Sequence, residues 1–296
     1  MTKRSEERAS RMTERRIEAR PMAGALGAEI AGVDVSGALE AAIVAQIRDA
    51  LLRYGVVVLR DQKLSREAQL AFARRLGEPE VHPIANGLPE HPAIIRVLKP
   101  AGEQAFFGTS WHTDNSFFES PTSFTILYGE TIPPVGGDTL FASMERAYEA
   151  LSPPIQRLLE PLSAIHSASR AYDPRTTGDA KYRGEAPITY RYSDAIYAEV
   201  EHPVVRTHPE TGRRSLYVNA MFTERIVGLA AHESRALLEM LYAHATRPEF
   251  TCRLRWAPRS LAIWDNRSVQ HYAIDDYADF ERVMYRVTLA GTRPAR

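Results

Sequence analysis

Strand-length apolar runs recur along this chain without the regular intervening helices that a doubly wound sheet requires, and that order limits the fold. Ala93–Leu98, Ser123–Ile132, Thr139–Ser143, Ser215–Asn219, Cys252–Trp256, Leu261–Trp264 and Val283–Leu289 each read as a strand, and Val56-Val57-Val58-Leu59 as a buried one. Gly136-Gly137-Asp138 and Ala257-Pro258-Arg259-Ser260 are turn signals between pairs of them. Helical spacing is confined to a few stretches. From Leu39 to Tyr54 the residues Ile43, Val44, Ile47, Ala50 and Leu51 share a face that Gly55 closes. Ser65 is the N-cap of a second helix that Gly77 ends, Ser152-Pro153 starts another, and His232 to Thr246 is a further amphipathic helix. The pattern predicts a mainly β fold with flanking helices (α+β): a sandwich or jelly roll with helices packed outside.

Composition narrows the partners. The chain has 296 residues with 37 basic and 37 acidic side chains, so nothing in its balance points to nucleic acid or an anionic membrane surface. Cys252 is the only cysteine, which rules out an intramolecular disulfide and favours a reducing, cytoplasmic setting. No run approaches the ~18 consecutive apolar residues of a membrane helix. Residues 1–20 hold seven basic and four acidic side chains and no apolar core, so they read as a solvated arm ahead of one domain spanning 21–296. Residues 170–187, with Pro174, Gly178, Gly184 and several charges, read as a lid.

His112-Thr113-Asp114 carries the first chemical signal. On a strand, residues two apart project to one side, so an imidazole and a carboxylate would stand together. They make two thirds of the facial triad that leaves open positions on Fe(II). Alone, the tripeptide is weak. A third ligand is available at His271, after Trp264-Asp265-Asn266-Arg267, if strands fold back beside each other as in a jelly roll. Arg282 and Arg286 follow, and residues 282, 284 and 286 share one strand face. Buried guanidinium is costly unless paired, so two on one face point either to carboxylate-like ligands or to the chain's own acids, such as Asp275 or Asp276.

Together these blocks meet a known pattern. Trp111-His112-Thr113-Asp114, Gly136-Gly137-Asp138-Thr139-Leu140-Phe141, Leu216-Tyr217-Val218-Asn219 and the block from Trp264 to Arg286 resemble the taurine/2,4-dichlorophenoxyacetate dioxygenase family, from about Gly24 to about Arg293. The resemblance implies a double-stranded β-helix and a dioxygenase using Fe(II), with 2-oxoglutarate and O2 as cosubstrates. It implies His112, Asp114 and His271 as metal ligands and Arg282 with Thr139 as the seat of the far 2-oxoglutarate carboxylate. Arg286 then corresponds to the residue gripping a substrate anion, with His82 and Phe222 at substrate-pocket positions. The implied reaction is hydroxylation of a small anionic organic substrate (an alkyl sulfonate, alkyl sulfate or aryloxyalkanoate), with 2-oxoglutarate converted to succinate and CO2. Asp114 is retained where related halogenases carry a small residue, which favours hydroxylation. A homo-oligomer, dimer or tetramer, is expected by analogy.

Two departures bear on substrate size. Gly108 stands where taurine-acting members carry Asn, and His82 is followed by Pro83, Ile84 and Ala85 where they carry a Tyr. Both changes predict a roomier, more apolar pocket than taurine needs. His91, His202, His208, His232 and His244 read as surface or loop residues and His166 as structural. Alternatives are the same chemistry on an amino acid or natural-product intermediate, a zinc hydrolase, which leaves Arg282, Arg286 and Thr139 unexplained, or a non-catalytic binding module.

Overall fold

The computed structural model describes residues 16–103, 108–173, 175, 188, 190 and 193–296. Within them the strands are β1 (Glu18–Pro21), β2 (Ala28–Ala31), β3 (Val56–Leu59), β4 (Ile95–Lys99), β5 (Phe124–Thr131), β6 (Thr139–Ser143), β7 (Ser163–His166), β8 (Val200–Pro203), β9 (Val205–Thr207), β10 (Arg214–Leu216), β11 (Thr223–Ile226), β12 (Thr251–Leu254), β13 (Leu261–Asp265), β14 (Val269–Ala273) and β15 (Arg282–Thr288). The helices are α1 (Ala41–Tyr54), α2 (Arg66–Leu76), α3 (Met144–Glu149), α4 (Pro153–Leu159), α5 (Ser169–Tyr172) and α6 (Ala231–Ala245). The expected lid at 170–187 lies mostly outside the described residues.

Alternation along the strands builds two layers. The larger sheet has the order β1-β2-β3-β13-β5-β15-β4, and a smaller one runs β12-β6-β14. Val57, Leu59, Ile126, Ile263 and Val287 point outward from the larger sheet onto Ile43, Val44, Ile47 and Leu51 of α1 and Leu70, Phe72 and Leu76 of α2. Their strand neighbours Val56, Val58, Ala262, Trp264 and Met284 point the other way, against Phe141, Leu254 and Val269 of the smaller sheet. Period-2 geometry therefore explains why β3 is buried along its whole length: both its faces are covered. This is the jelly roll expected from the sequence. No helix among the described residues is long and apolar enough to cross a membrane.

Glu18–Arg20, assigned to the arm, pair antiparallel with β2, Glu18 opposite Ala31 and Arg20 opposite Glu29. Three of the four β1 side chains are exposed and only Ala19 packs against the core, so no apolar alternation marked the strand. His202 and His208, read as surface or loop residues, are each 1% exposed, as partners in buried polar networks.

Three local devices aim the inner strands. Gly136 (φ 79°) and Gly137 (φ 69°) make the turn before β6, and a Cβ on Gly136 would lie 2.7 Å from Asp276 O. The buried Lys99 ammonium shares its three protons among the carbonyls of Pro100 (3.1 Å), Tyr277 (3.2 Å), Ala278 (2.6 Å) and Phe280 (3.1 Å), holding the loop that enters β15. At the β13–β14 turn, Asp265 Oδ1 accepts from Arg267 Nε (2.7 Å), while its Oδ2 accepts from Arg267 Nη2 (2.7 Å) and is bonded to His208 Nε2 (2.9 Å). Arg267 continues to Glu210 (2.6 Å), which also takes Arg48.

Burial pushes the Asp265 carboxyl upward in pKa, but hydrogen bonds from Arg267 and His208 outweigh it and hold it well below the ordinary range. Asp265→Asn is expected to cost about 3 kcal/mol of unfolding free energy. Because the folded pKa is depressed, that contribution is complete above about pH 4 and is lost as pH falls through the lower folded value. Urea titrations of wild type and variant at pH 7 and pH 3 measure it. A cost under about 1 kcal/mol at pH 7, or a gap that widens in acid, would contradict this account.

Candidate active site

His112 and Asp114 come together with His271 from a distant part of the chain. A two-way backbone bridge links His112 and His271, with N–H to O distances of 3.1 and 2.8 Å. β14 in turn pairs with β6, setting His271 opposite Phe141 and Ala273 opposite Thr139. The strand expected at 112–114 does not form. Pairing stops at His112, and the chain turns through Asn115 at φ 56°. The turn still brings Asp114 Oδ1 to 3.8 Å from His112 Nε2 and 4.0 Å from His271 Nε2. One ligand atom from each of the three lies within 4.8 Å of the others.

The electrostatics of this cluster suit a cation. His112 Nδ1 is 2.7 Å from Ser110 O, which makes that nitrogen the donor and turns the Nε2 lone pair toward Asp114. Burial lowers the pKa of both imidazoles, that of His271 to about 3, so both are neutral at pH 7. Burial raises the Asp114 carboxyl, but His271, Arg286, His112 and the Thr125 hydroxyl together bring it down to about 2. Two neutral imidazoles and one ionised carboxylate are the donor set of a divalent transition metal.

Beside the triad, Arg282, Met284 and Arg286 line one cavity with Thr139, Trp264, His112 and His271, as the shared strand face predicts. The Arg282 guanidinium, 7% exposed, lies between the rings of Trp256 (5.8 Å) and Tyr277 (5.6 Å). Its Nε has no hydrogen-bond partner, and among the described residues no acid forms a salt bridge with it. Asp276 Oδ1 instead accepts from Gly137 N–H (2.7 Å). Thr139 Oγ1 accepts from Trp256 Nε1 (2.9 Å), so the threonine proton is directed elsewhere.

The remaining expected residues sit less uniformly. Arg286 Nη1 pairs with Asp114 Oδ1 at 3.3 Å, one buried charge against the other. Phe222, 1% exposed, packs edge-on to the His112 ring with centroids 6.1 Å apart. It belongs to an apolar cluster with Ile84, Ile95, Phe117, Tyr172 and Tyr190. His82 stands one layer back. Its Nδ1 accepts from Ile84 N–H (3.1 Å) and Ala85 N–H (2.9 Å), and its Nε2 is 2.9 Å from Asn115 Oδ1. Gly108, at φ 78°, lines the same cavity as the triad histidines, and a Cβ there would touch His112 Cε1 (3.5 Å) and Ala273 Cβ (3.6 Å).

Sequence reasoning passed over Trp256 and Tyr277, which flank Arg282, and Thr125 and Asn266, which surround Asp114. A usable signal existed for Thr125: a hydroxyl on the strand face it shares with the cavity-lining Leu127, two residues on.

Known proteins place this arrangement. An alpha-ketoglutarate-dependent sulfate ester dioxygenase from Pseudomonas putida is 40% identical over 94% of this chain and 91% of its own length. An alkylsulfatase from Acinetobacter baylyi is 38% identical over 93% of this chain and 85% of its own. The crystal structure of a putative alpha-ketoglutarate-dependent taurine dioxygenase from Burkholderia xenovorans superposes with a TM-score of 0.80 at 40% identity, covering 94% of each chain. Residues 18–288 match the family described as taurine catabolism dioxygenase TauD, TfdA, and the chain belongs to that family of iron(II)- and 2-oxoglutarate-dependent dioxygenases.

Proposed function

We propose that this enzyme oxidises a small organic monoanion, best an alkyl sulfate ester, at the carbon bearing the anionic group. The observation that carries the reading is the inner face of β15: two guanidiniums four residues apart, on either side of Met284, in the cavity that holds the histidine pair. Four residues along a strand span roughly 13 Å, enough to seat two anions separately.

His112, Asp114 and His271 hold the metal, a role that fits their convergence and charge states. Iron(II) with 2-oxoglutarate and O2 supplies the oxidising power, inserting one oxygen atom into a substrate C–H bond and releasing succinate and CO2. Arg282 takes the far carboxylate of 2-oxoglutarate, for which its orphaned Nε and its aromatic walls provide a dry, charge-complementary end. Thr139, whose oxygen is already occupied by Trp256, donates its proton to the same carboxylate. Arg286 takes the substrate anion. The cavity wall formed by Gly108, Val97, Leu127 and Met284 is apolar and suits an alkyl chain longer than taurine's. Hydroxylation of the carbon next to a sulfate ester gives a product that collapses to an aldehyde and inorganic sulfate. His82 anchors the Asn115 turn from behind and acts on the substrate only through it.

Four measurements test the reading. Protein loaded anaerobically with Fe(II) and 2-oxoglutarate is expected to show the weak visible band of the chelate, and His112→Ala to lose it. Absence of the band in wild type with iron demonstrably bound would remove the assignment. Arg282→Ala is expected to weaken 2-oxoglutarate binding by about 2–5 kcal/mol, roughly 30-fold or more. Loss of less than about threefold would move the carboxylate seat elsewhere. In a panel of alkyl sulfates, alkylsulfonates, aryloxyalkanoates and amino acids, an alkyl sulfate of several carbons is expected to yield sulfate and succinate in equal amounts. Arg286→Gln is expected to raise its KM at least tenfold with 2-oxoglutarate affinity unchanged within about threefold. Succinate formation driven best by an amino acid would favour the biosynthetic alternative.

A further inference from the structure

Asp114 presents its two carboxylate oxygens to different surroundings. Oδ1 faces the imidazole nitrogens at 3.8 and 4.0 Å and the Arg286 guanidinium at 3.3 Å. Oδ2 lies on the other side, 2.7 Å from the hydroxyl of Thr125, a residue with no solvent exposure on the central strand β5. Thr125 Oγ1 in turn accepts from Asn266 Nδ2 (2.8 Å). Asn266 Oδ1 accepts from the Asp114 backbone N–H (3.1 Å) and from Trp264 Nε1 (3.1 Å).

These bonds allow one arrangement of protons. Two N–H donors fix the oxygen end of the Asn266 amide, so its nitrogen end must face Thr125. With its oxygen receiving that N–H, the threonine has a single proton left, and the ionised carboxylate is acceptor only. The hydroxyl therefore donates to Asp114 Oδ2. Asn266 grips residue 114 twice, directly at the backbone and through Thr125 at the side chain. The base is rigid, since Thr125 is paired with Trp264 on one side and Thr288 on the other.

We infer that Thr125, oriented by Asn266, is a positioning residue that occupies the outer oxygen of Asp114 and leaves one carboxylate oxygen for the metal. Were both oxygens available, the carboxylate could take two coordination positions, and one fewer would be open for cosubstrates. This rests on the proposal that Asp114 is a metal ligand.

The test compares Thr125→Val, which keeps the shape and drops the hydroxyl, with Thr125→Ser, which restores it. Metal-free proteins are titrated with Mn(II), followed by electron paramagnetic resonance, and with Co(II), whose visible spectrum reports coordination number. Circular dichroism checks folding. Thr125→Val is expected to bind Mn(II) about tenfold more weakly or worse and to shift the Co(II) spectrum toward higher coordination. Thr125→Ser is expected to return both to wild-type values. A folded Thr125→Val with wild-type Mn(II) affinity and Co(II) spectrum overturns the inference, and so does a serine variant that restores neither, since packing of the methyl group would then be responsible. Should the valine variant not fold, Asn266→Ala serves in its place: it leaves Thr125 intact but unoriented and is expected to weaken Mn(II) about threefold or more. Unchanged binding there has the same overturning force. Wild-type protein that binds neither ion fails the metal reading itself, before any variant is compared.

Discussion

The active site hangs on one pair of backbone hydrogen bonds, those between His112 and His271. They bring together two segments that the chain keeps far apart, and closing so long a loop is costly in entropy. The jelly roll absorbs that cost elsewhere. β14 is held by β6, β6 by β12, and the inward face of the larger sheet supplies the packing that keeps them in place. Strand pairing fixes the β14 backbone that carries His271, so little freedom is left to lose when a ligand arrives. Lys99 does the same for the loop before β15, using one ammonium to gather four carbonyls that would otherwise need separate partners.

What could be read from the chain follows from what has a period. Residues 282, 284 and 286 were placed on one face by strand alternation alone, and they share one cavity. The outer helices followed from apolar spacing, to within a residue or two. The HxD tripeptide is more instructive. Two residues on a strand and two residues entering a turn can deliver the same side chains to one point, so the three side chains converge although the local structure differs from a strand. Aperiodic features stayed hidden. His208 looks like a loop residue until its partner Asp265, 57 positions away, is known. Thr125, Asn266 and Lys99 are polar residues whose burial is decided by tertiary contacts, and no spacing rule flags them. β1 escaped because, Ala19 apart, its side chains are exposed and its backbone makes the pairing.

The pairing of Arg286 with Asp114 has a further consequence once the buried charges facing the cavity are counted. Asp114 contributes one negative charge, Arg282 and Arg286 one positive charge each, and the two histidines none. A divalent metal held there would raise the cavity to three positive charges, and doubly charged 2-oxoglutarate would leave one. Only a singly charged substrate then brings the loaded cavity to electrical neutrality. A neutral molecule of the same shape leaves a positive charge stranded in a low-dielectric interior, and a dianion leaves a negative one, each at a cost of several kcal/mol. Discrimination among substrates can thus begin with valence, before any contact to the carbon chain is made.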